Sequence, residues 1–417
     1  MVAILTRIFG PEHLTLAEDV VQEALAKALE RWPFYGIPEN PSAWILRASR
    51  NLALDVVRRQ KLFRDKETQI ALLTEHSSPA PEAIFPEEEI ADDRLRLMFV
   101  CCHPLIPAEA QAALALKTLC GFGVTEISRA FLTSAAAVAK RLTRAKQRIR
   151  EARIPFDIPA GEELKHRLEG VLQTLYLLFN EGYKASVGER LVREEICQEA
   201  IRLTGLLASH PVGNQPKTHA LLALMLLNAA RTHARVDGAG NLLLLHEQDR
   251  TRWDAALIAQ GMYHFARSGS GEEVSTYHIQ TAIAVCHCMA KTPQSTDWRQ
   301  ILSLYDRLAQ IDGSPVVALN RAVAVANVHG PGAGIEAVQA IRNCGQLDSY
   351  YLLHAVLGDF EARRSDLDAA ADHFRRSLAL AQTESERAFL SKRIQVCQDA
   401  LGHACSMHGN DNYLSDD

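Results

Sequence analysis

The chain has 417 residues, of which 47% are hydrophobic, 23% charged and only 6% aromatic, a composition that indicates an ordinary globular, mostly helical protein. No apolar stretch is long enough to cross a membrane, and the first residues lack the features of a signal peptide. The nine cysteines are irregularly spaced, which indicates reduced thiols. We therefore expect a cytoplasmic protein. The net charge of −5 excludes a generally basic protein. Residues 94–153, however, carry 11 basic and 3 acidic residues, which indicates a local nucleic-acid-binding surface.

Residues 1–63 begin with part of a helix and continue in an amphipathic helix that the periodicity places over Leu14–Trp32. Thr15 and Glu18 have the spacing of a capping box at the start of this helix. We expect a buried apolar stripe made of Ala17, Val20, Val21, Ala24, Ala28 and Leu29. The opposite face carries the polar side chains of Asp19, Gln22 and Glu23.

A proline-bounded loop, Pro33–Pro41, is predicted to separate this helix from a second one over about Ala43–Lys61. The outer face of the second helix carries Trp44, Arg47, Arg50, Asn51, Arg58 and Arg59. A tryptophan on an amphipathic helix is more often a core residue, so Trp44 is the least typical member of this polar set. Residues 64–93, with 2 basic and 9 acidic residues, are predicted to form an acidic linker.

Residues 94–155 end in a short helix, a tight turn at Leu132–Ser134 and a longer basic helix. Thr125 can cap the short helix, and the longer one places Val138, Leu142, Ala145 and Ile149 inward. Its exposed side carries Lys140, Arg141, Arg144, Lys146 and Arg148. A cationic helix is often no more than a solvated face. The preceding short helix, the turn and the local charge favour a DNA-binding helix-turn-helix instead.

Residues 161–402 have mostly helical periodicity, and two similar units follow each other within 317–382. The second unit has the pattern of a tetratricopeptide-like repeat, with small residues at Gly358 and Ala370 and a bulky one at Phe374. In the first unit, Ala337 corresponds to Ala370 and Ile341 to Phe374. Stacked helix pairs would form a concave groove suited to a protein or peptide ligand. A purely structural helical array remains the alternative, and residues 403–417 are predicted to be a loose tail.

A dense polar cluster surrounds one tryptophan after the turn that begins at Asp237: Asp237, Asp249, Arg250, Arg252, Trp253 and Asp254. This cluster could be a buried ion network that holds the extension together or a site for a ligand or partner. The motifs Cys101-Cys102-His103 and Cys286-His287-Cys288 lack tetrahedral zinc spacing, so we expect buried thiols and no metal. Catalytic motifs are lacking as well, so we expect neither an enzyme nor a cofactor.

The first 150 residues resemble a bacterial RNA polymerase sigma factor of the extracytoplasmic-function type. LAEDVVQEALAKALERW resembles the polymerase-contacting helix of region two, and PSAWILRASRNLALDVVRRQ resembles the helix that opens the −10 element. VTEISRAFLTSAAAVAKRLTRAKQRIR resembles the −35-reading helix-turn-helix of region four. The resemblance implies polymerase contacts at Asp19, Gln22 and Glu23, −10 contacts on the second helix, and −35 contacts at Lys140, Arg141, Arg144, Lys146 and Arg148.

Two further segments, DDRLRLMFVCCHP and ARVDGAGNLLLLHEQDRTRWD, resemble the sigma-factor group with a long C-terminal helical-repeat extension that controls activity. The chain departs from the family in starting late and in having Ala137 and Ala139 in the −35-reading helix. We therefore expect an all-α protein with region two, region four and a repeat domain, whose partners are core RNA polymerase, promoter DNA and a protein or peptide ligand. A DNA-binding regulator with a sensing domain, or a repeat scaffold without a role in transcription, are the alternatives.

Overall fold

The computed structural model describes residues 1–67, 92–131, 133–156, 162–184, 192–238, 242–341 and 344–409. Within these ranges the protein is built from 18 α-helices and has no β-sheet, which confirms the predicted all-α class. Among the described helices, none combines the length and apolarity that crossing a membrane requires. The chain divides into two compact units, Met1–Leu177 with His210–Val212, and Leu178–Ser209 with Gly213–Asp417.

The first unit starts with α1 (Val2–Phe9), α2 (Leu14–Tyr35) and α3 (Pro41–Glu67). Leu5 of α1, Ala17 and Val21 of α2, and Ala53 of α3 pack together in one small core. The predicted stripe of α2 is buried except for Leu29, which is 78% exposed. The prediction for Leu29 was wrong because the apolar residues of α2 continue past the end of the core that α1 and α3 provide.

Helix α2 begins at Leu14 as predicted, but its cap and its C-terminal end differ from the prediction. The capping box was wrong, because a short 3-10 turn at Pro11–His13 leads directly into Leu14 and leaves Thr15 inside the helix without a capping bond. The predicted loop starts too early, because α2 continues through Pro33 to Tyr35. Gly36, in the left-handed region at φ +80°, then ends the helix and donates its N–H to the carbonyl of Trp32.

The first unit continues with α4 (Asp93–Cys101), α5 (Ala108–Cys120), α6 (Val124–Ala130), α7 (Ala135–Ala152) and the start of α8 (Glu162–Tyr183). Asp92 caps α4 by accepting from the N–H groups of Arg94 and Leu95, and α4 is buried along almost its whole length. Most of the predicted acidic linker, residues 68–91, lies outside the described residues. Cys101 and Cys102 are buried, and burial raises the pKa of the Cys101 thiol to about 12.

The second unit contains the end of α8 and the following ten helices: α9 (Glu194–Ser209), α10 (Pro216–Ala229), α11 (Ala255–Ser268), α12 (Thr276–Met289), α13 (Trp298–Ile311), α14 (Pro315–His329), α15 (Pro331–Gln339), α16 (Tyr351–Arg363), α17 (Leu367–Leu380) and α18 (Glu384–Gly409). Consecutive helices from α13 to α18 pack against one another. The predicted tail beyond residue 409, and Ala239 and Gly240 of the predicted turn, lie outside the described residues.

Glycine allows close helix contacts at two places in the second unit. A Cβ atom on Gly358 of α16 would lie 2.8 Å from the ring of Phe374 on α17. A Cβ atom on Gly334 of α15 would lie 2.6 Å from the Cβ atom of Ala326 on α14. Contacts this close require a residue without a side chain, so these glycines set the distance between neighbouring helices.

Candidate polymerase and promoter interface

The acidic face of α2 presents Asp19, Gln22 and Glu23 to solvent. Residues three and four positions apart lie on the same side of a helix, so these three side chains share one surface. Glu23 forms an exposed ion pair of 2.7 Å with Lys27 one turn later. Such a pair leaves the carboxylate accessible, because exposed ion pairs contribute little free energy.

The C-terminal end of α2 carries apolar side chains that the protein leaves in water. Phe34 is 84% and Tyr35 87% exposed, and the neighbouring Leu29 and Ile37 are also exposed. None of the site residues predicted from the sequence lies at this end of the helix. The signal was present in the sequence as an aromatic pair directly after Pro33, at the predicted junction between two helices. Two adjacent exposed aromatic rings are suited to stacking on a flat partner such as a nucleic-acid base.

Helix α3 presents a cationic face next in the chain. Arg47, Arg50, Asn51, Arg58 and Arg59 are all exposed, whereas Ile45 and Ala53 on the other side are buried. Trp44 differs from the rest of its predicted set, because it is half-buried and its ring lies edge-on to Trp32 with 5.7 Å between the centroids. It therefore helps to fix the junction between α2 and α3 while part of its surface stays exposed.

Helices α6 and α7 follow each other across a short turn. Ser134 caps α7 by accepting from the N–H of Ala137 at 3.2 Å. The predicted cap of α6 was wrong: Gly123 is the N-cap, and its N–H donates to the carboxylate of Glu126. The inner stripe of α7 is confirmed, since its buried residues are Val138, Leu142, Ala145 and Ile149.

The five side chains of α7 that were predicted to contact DNA fall into two groups. Three are engaged within the first unit: Arg141 pairs with Glu109 at 2.6 Å, Lys146 pairs with Glu18 of α2, and Arg148 donates to the carbonyl oxygen of Leu105 at 2.7 Å. Lys140 and Arg144 are exposed, and the described part of the chain offers them no hydrogen-bond or ion-pair partner. They lie four positions apart and so form one accessible cationic pair.

The polar cluster of the second unit is arranged around Trp253, which is buried. The carboxylates of Asp249 and Asp254 cap the helical turns that follow them, and Arg252 is exposed. Arg250 lies over the Trp253 ring, 5.1 Å from its centroid, and donates to the carbonyl oxygens of His287 and Ala290. Asp237, at the start of the cluster, also takes part in a polar interaction.

Comparisons with known proteins identify similarities along most of the chain. Residues 1–63 match the family described as Sigma-70 region 2, and residues 167–269 match a family of unknown function, DUF6596. The chain is 38% identical over 385 residues to uncharacterized protein R00370 of Rhizobium meliloti, which covers 92% of this chain and 90% of that protein. It is 28% identical over 145 residues to the ECF RNA polymerase sigma factor SigE of Mycolicibacterium smegmatis, covering 35% of this chain and 54% of that protein. No solved structure matches.

Proposed function

Because the chain belongs to the same family as Rhizobium meliloti protein R00370 and its residues 1–63 form a sigma-70 region 2, we propose that it directs core RNA polymerase to promoters. The observation that carries the proposal is the surface of that region. Two consecutive helices present an acidic face, an exposed aromatic pair and a cationic face. Initiation requires these three surfaces, because the protein must hold polymerase, unstack bases and bind the separated strand.

Each surface has a role in this proposal. Asp19, Gln22 and Glu23 bind the clamp of the large polymerase subunit through charge complementarity. Phe34 and Tyr35 stack on bases that leave the −10 duplex and offset an unstacking cost of about a few kcal/mol per base. The arginines of α3 hold the phosphates of the same strand. Part of Trp44 remains exposed beside them and extends the stacking surface.

The second DNA contact is assigned to α6 and α7 as a helix-turn-helix that reads the −35 element. Lys140 and Arg144 are accessible for base edges or phosphates, while Arg141, Lys146 and Arg148 become available when their internal contacts open. Residues 161–402 are proposed as a tetratricopeptide-like domain that controls activity. The close contacts at Gly334 and Gly358 support this assignment, because such repeats need small residues between their helices.

Run-off transcription tests the proposal directly. The full chain is added to core RNA polymerase on a pool of randomised promoter templates, and the 5′ ends of the transcripts are sequenced. Initiation at defined sites that share two upstream elements supports a sigma factor. DNA binding without initiation would instead identify a DNA-binding regulator, and binding to neither DNA nor polymerase would leave only a scaffold.

Replacing the aromatic pair, Phe34→Ala with Tyr35→Ala, is expected to reduce open-complex formation about tenfold or more, since stacking contributes about 1–3 kcal/mol per base. Polymerase binding should remain unchanged, because both rings are exposed and contribute nothing to the core of the first unit. Permanganate reactivity of the −10 thymines measures opening. Tyr263→Ala, at another exposed aromatic, is the matched control. Opening at the wild-type level in the double variant would contradict the assignment.

The ion pair between Glu18 and Lys146 joins α2 to α7, so the helices assigned to polymerase and to the −35 element lie in direct contact. The −10 and −35 elements are separated by roughly 25 base pairs, or roughly 85 Å at about 3.4 Å per base pair. A unit closed in this way cannot reach both elements at once. We therefore propose that the described arrangement is a closed state, from which α7 must separate for promoter binding.

The Glu18→Gln variant is expected to bind its promoter roughly five- to thirtyfold more tightly in the absence of polymerase. Both side chains of the pair are mostly buried, at 15% and 21% exposure, so its loss weakens the closed state by about 1–2 kcal/mol. Fluorescence anisotropy with labelled duplex measures the affinity. Glu109→Gln is the control, because Glu109 is 72% exposed and its pair with Arg141 should contribute less. An affinity for Glu18→Gln equal to or below wild type would contradict the closed state.

A further inference from the structure

The second unit contains a cavity of about 890 Å³. Residues of α12 to α14, residues of α16 to α18 and residues of the half-buried segment Leu242–Leu245 line it. Cavities that bind small molecules have volumes of about 300–1,000 Å³ and are mostly apolar. This cavity has that size and is bounded by side chains such as Leu244, Val323, Val356 and Phe389.

Arg250 and His287 lie together on one side of this cavity. His287 is only 9% exposed, and its Nδ1 atom has no hydrogen-bond partner among the residues that the structure describes. The Nε atom of Arg250 is also buried without a partner, although its other nitrogens donate to His287, Ala290 and Thr296. Unsatisfied buried polar atoms are rare in folded proteins, so two of them in residues that line the same cavity mark this end of it as short of hydrogen-bond partners.

The charges around the cavity are unevenly balanced. Asp359 accepts from Arg393 at 2.9 Å and pairs with Arg363, and Glu386 pairs with Lys184 at 3.8 Å. Among the described residues, by contrast, the hydrogen bonds of Arg250 go to neutral carbonyl and hydroxyl oxygens. A half-buried guanidinium that has no carboxylate partner among the described residues favours an anion beside it.

A second cation strengthens this positive field. Arg231 lies 5.9 Å from the centroid of the Trp253 ring, on which Arg250 also packs. Burial, and after it the charges of Arg231 and Arg250, lower the pKa of His287 to about 3, so the imidazole is neutral at physiological pH. A neutral imidazole can donate one hydrogen bond to a ligand without adding another charge to this side.

We propose that this cavity binds an amphipathic organic anion, with its carboxylate or phosphate head at Arg250 and His287 and its apolar body against Val323, Val356 and Phe389. A charge-assisted bond to the guanidinium fixes the head. Burial of the apolar body supplies the remaining affinity. The proposal goes beyond promoter recognition and does not depend on it, because binding is measured on the full chain without polymerase or DNA.

Isothermal titration of the full-length protein with decanoate, decyl phosphate and 1-decanol tests the proposal, since these probes share a chain and differ in the head. We expect saturable binding of one or both anions and at least tenfold weaker binding of the alcohol. The preferred anion identifies the head as carboxylate or phosphate. Equal affinity for the alcohol, or no binding of either anion, would overturn the proposal.

Two variants locate the bound anion. Arg250→Gln should weaken anion binding about tenfold or more, and Arg299→Gln, which removes an exposed arginine outside the cavity, should not change it. Because Arg250 also holds the backbone of His287, circular dichroism must show unchanged helix content. Val356→Trp fills the apolar side without touching Arg250 and should also weaken binding about tenfold. Wild-type affinity in both cavity variants would place the anion elsewhere and overturn the proposal.

Discussion

We expect promoter-specific transcription to fall about a hundredfold or more when Lys140→Glu and Arg144→Glu are combined. The two side chains lie one helical turn apart on the exposed side of α7 and have no partner among the described residues. Each is thus free to bind guanine or phosphate, and a good base contact contributes about 1–3 kcal/mol of discrimination. Reversal removes both contacts and adds repulsion from the phosphates. The fall is measured by run-off transcription on the promoter found with the wild-type chain.

Internal contacts distinguish Lys140 and Arg144 from the other predicted DNA-contacting residues of α7. Reversing Arg141 would also break its ion pair with Glu109, and reversing Lys146 would break the contact with Glu18, so an effect on folding would be mixed with the effect on DNA binding. Lys140 and Arg144 make no such contact with the part of the chain that the structure describes. At the start of α7, Ala135, Ala136 and Ala139 expose only methyl groups, which cannot form hydrogen bonds with base edges. Hydrogen bonding to bases at this end of the helix therefore depends on Lys140 and Arg144.

Salt dependence separates DNA contact from a general charge effect. The logarithm of the DNA-binding constant falls linearly with the logarithm of the salt concentration. The magnitude of this slope should decrease by about two for the double variant, or about one for each lost phosphate contact. The control reverses Arg299 and Arg307, two exposed arginines of α13, and so makes the same change in net charge. Promoter-specific transcription that survives in Lys140→Glu with Arg144→Glu would refute the assignment of α7.

The sequence was sufficient for features that depend on local periodicity. The inner stripe of α7 was predicted completely, because one face of one helix determines it. Leu29 and Pro33 show the limit of this reasoning. Leu29 continues the apolar pattern of α2 but has no neighbouring helix to cover it, and Pro33 stays within the helix that a proline was expected to end.

Partners that are distant in the sequence could not be predicted. Glu18 was assigned to a cap three residues away, yet its carboxylate pairs with Lys146, which lies 128 positions later. The contacts of Arg141 and Arg148 likewise depend on how α5 and α7 pack. Around Trp253, short-range capping engages Asp249 and Asp254, and this leaves Arg250 facing a cavity whose walls come from six helices and from segments between helices.

The second large effect is expected from Gly358→Val, which should destabilise the second unit by about 3 kcal/mol or more. A Cβ atom at this position would lie 2.8–3.0 Å from three ring atoms of Phe374, and the ring is only 1% exposed and therefore cannot move into solvent. Overpacking a tight core commonly costs about 1–3 kcal/mol, and valine adds two further methyl groups. At about 2–4 °C for each kcal/mol, the thermal midpoint should fall by roughly 6–12 °C.

Gly205→Val provides the matched control. Gly205 also lies inside a helix of the second unit, but an added Cβ atom would find nothing within 4 Å. Valine has a somewhat better helix propensity than glycine, so this variant should be neutral or slightly stabilising. The comparison of the two midpoints by circular dichroism isolates the clash with Phe374. Equal midpoints would show that α16 and α17 can separate freely.

The displacement of Phe374 has a second consequence, because its ring connects the helix packing to the proposed anion cavity. Phe374 lines the cavity, and the guanidinium of Arg393 lies 5.1 Å from its ring centroid while donating to Asp359 at 2.9 Å. Moving the ring moves this ion pair, so Gly358→Val should weaken decanoate binding at temperatures below its midpoint, whereas Gly205→Val should not. Loss of stability with unchanged decanoate affinity would show that helix packing and the cavity are independent.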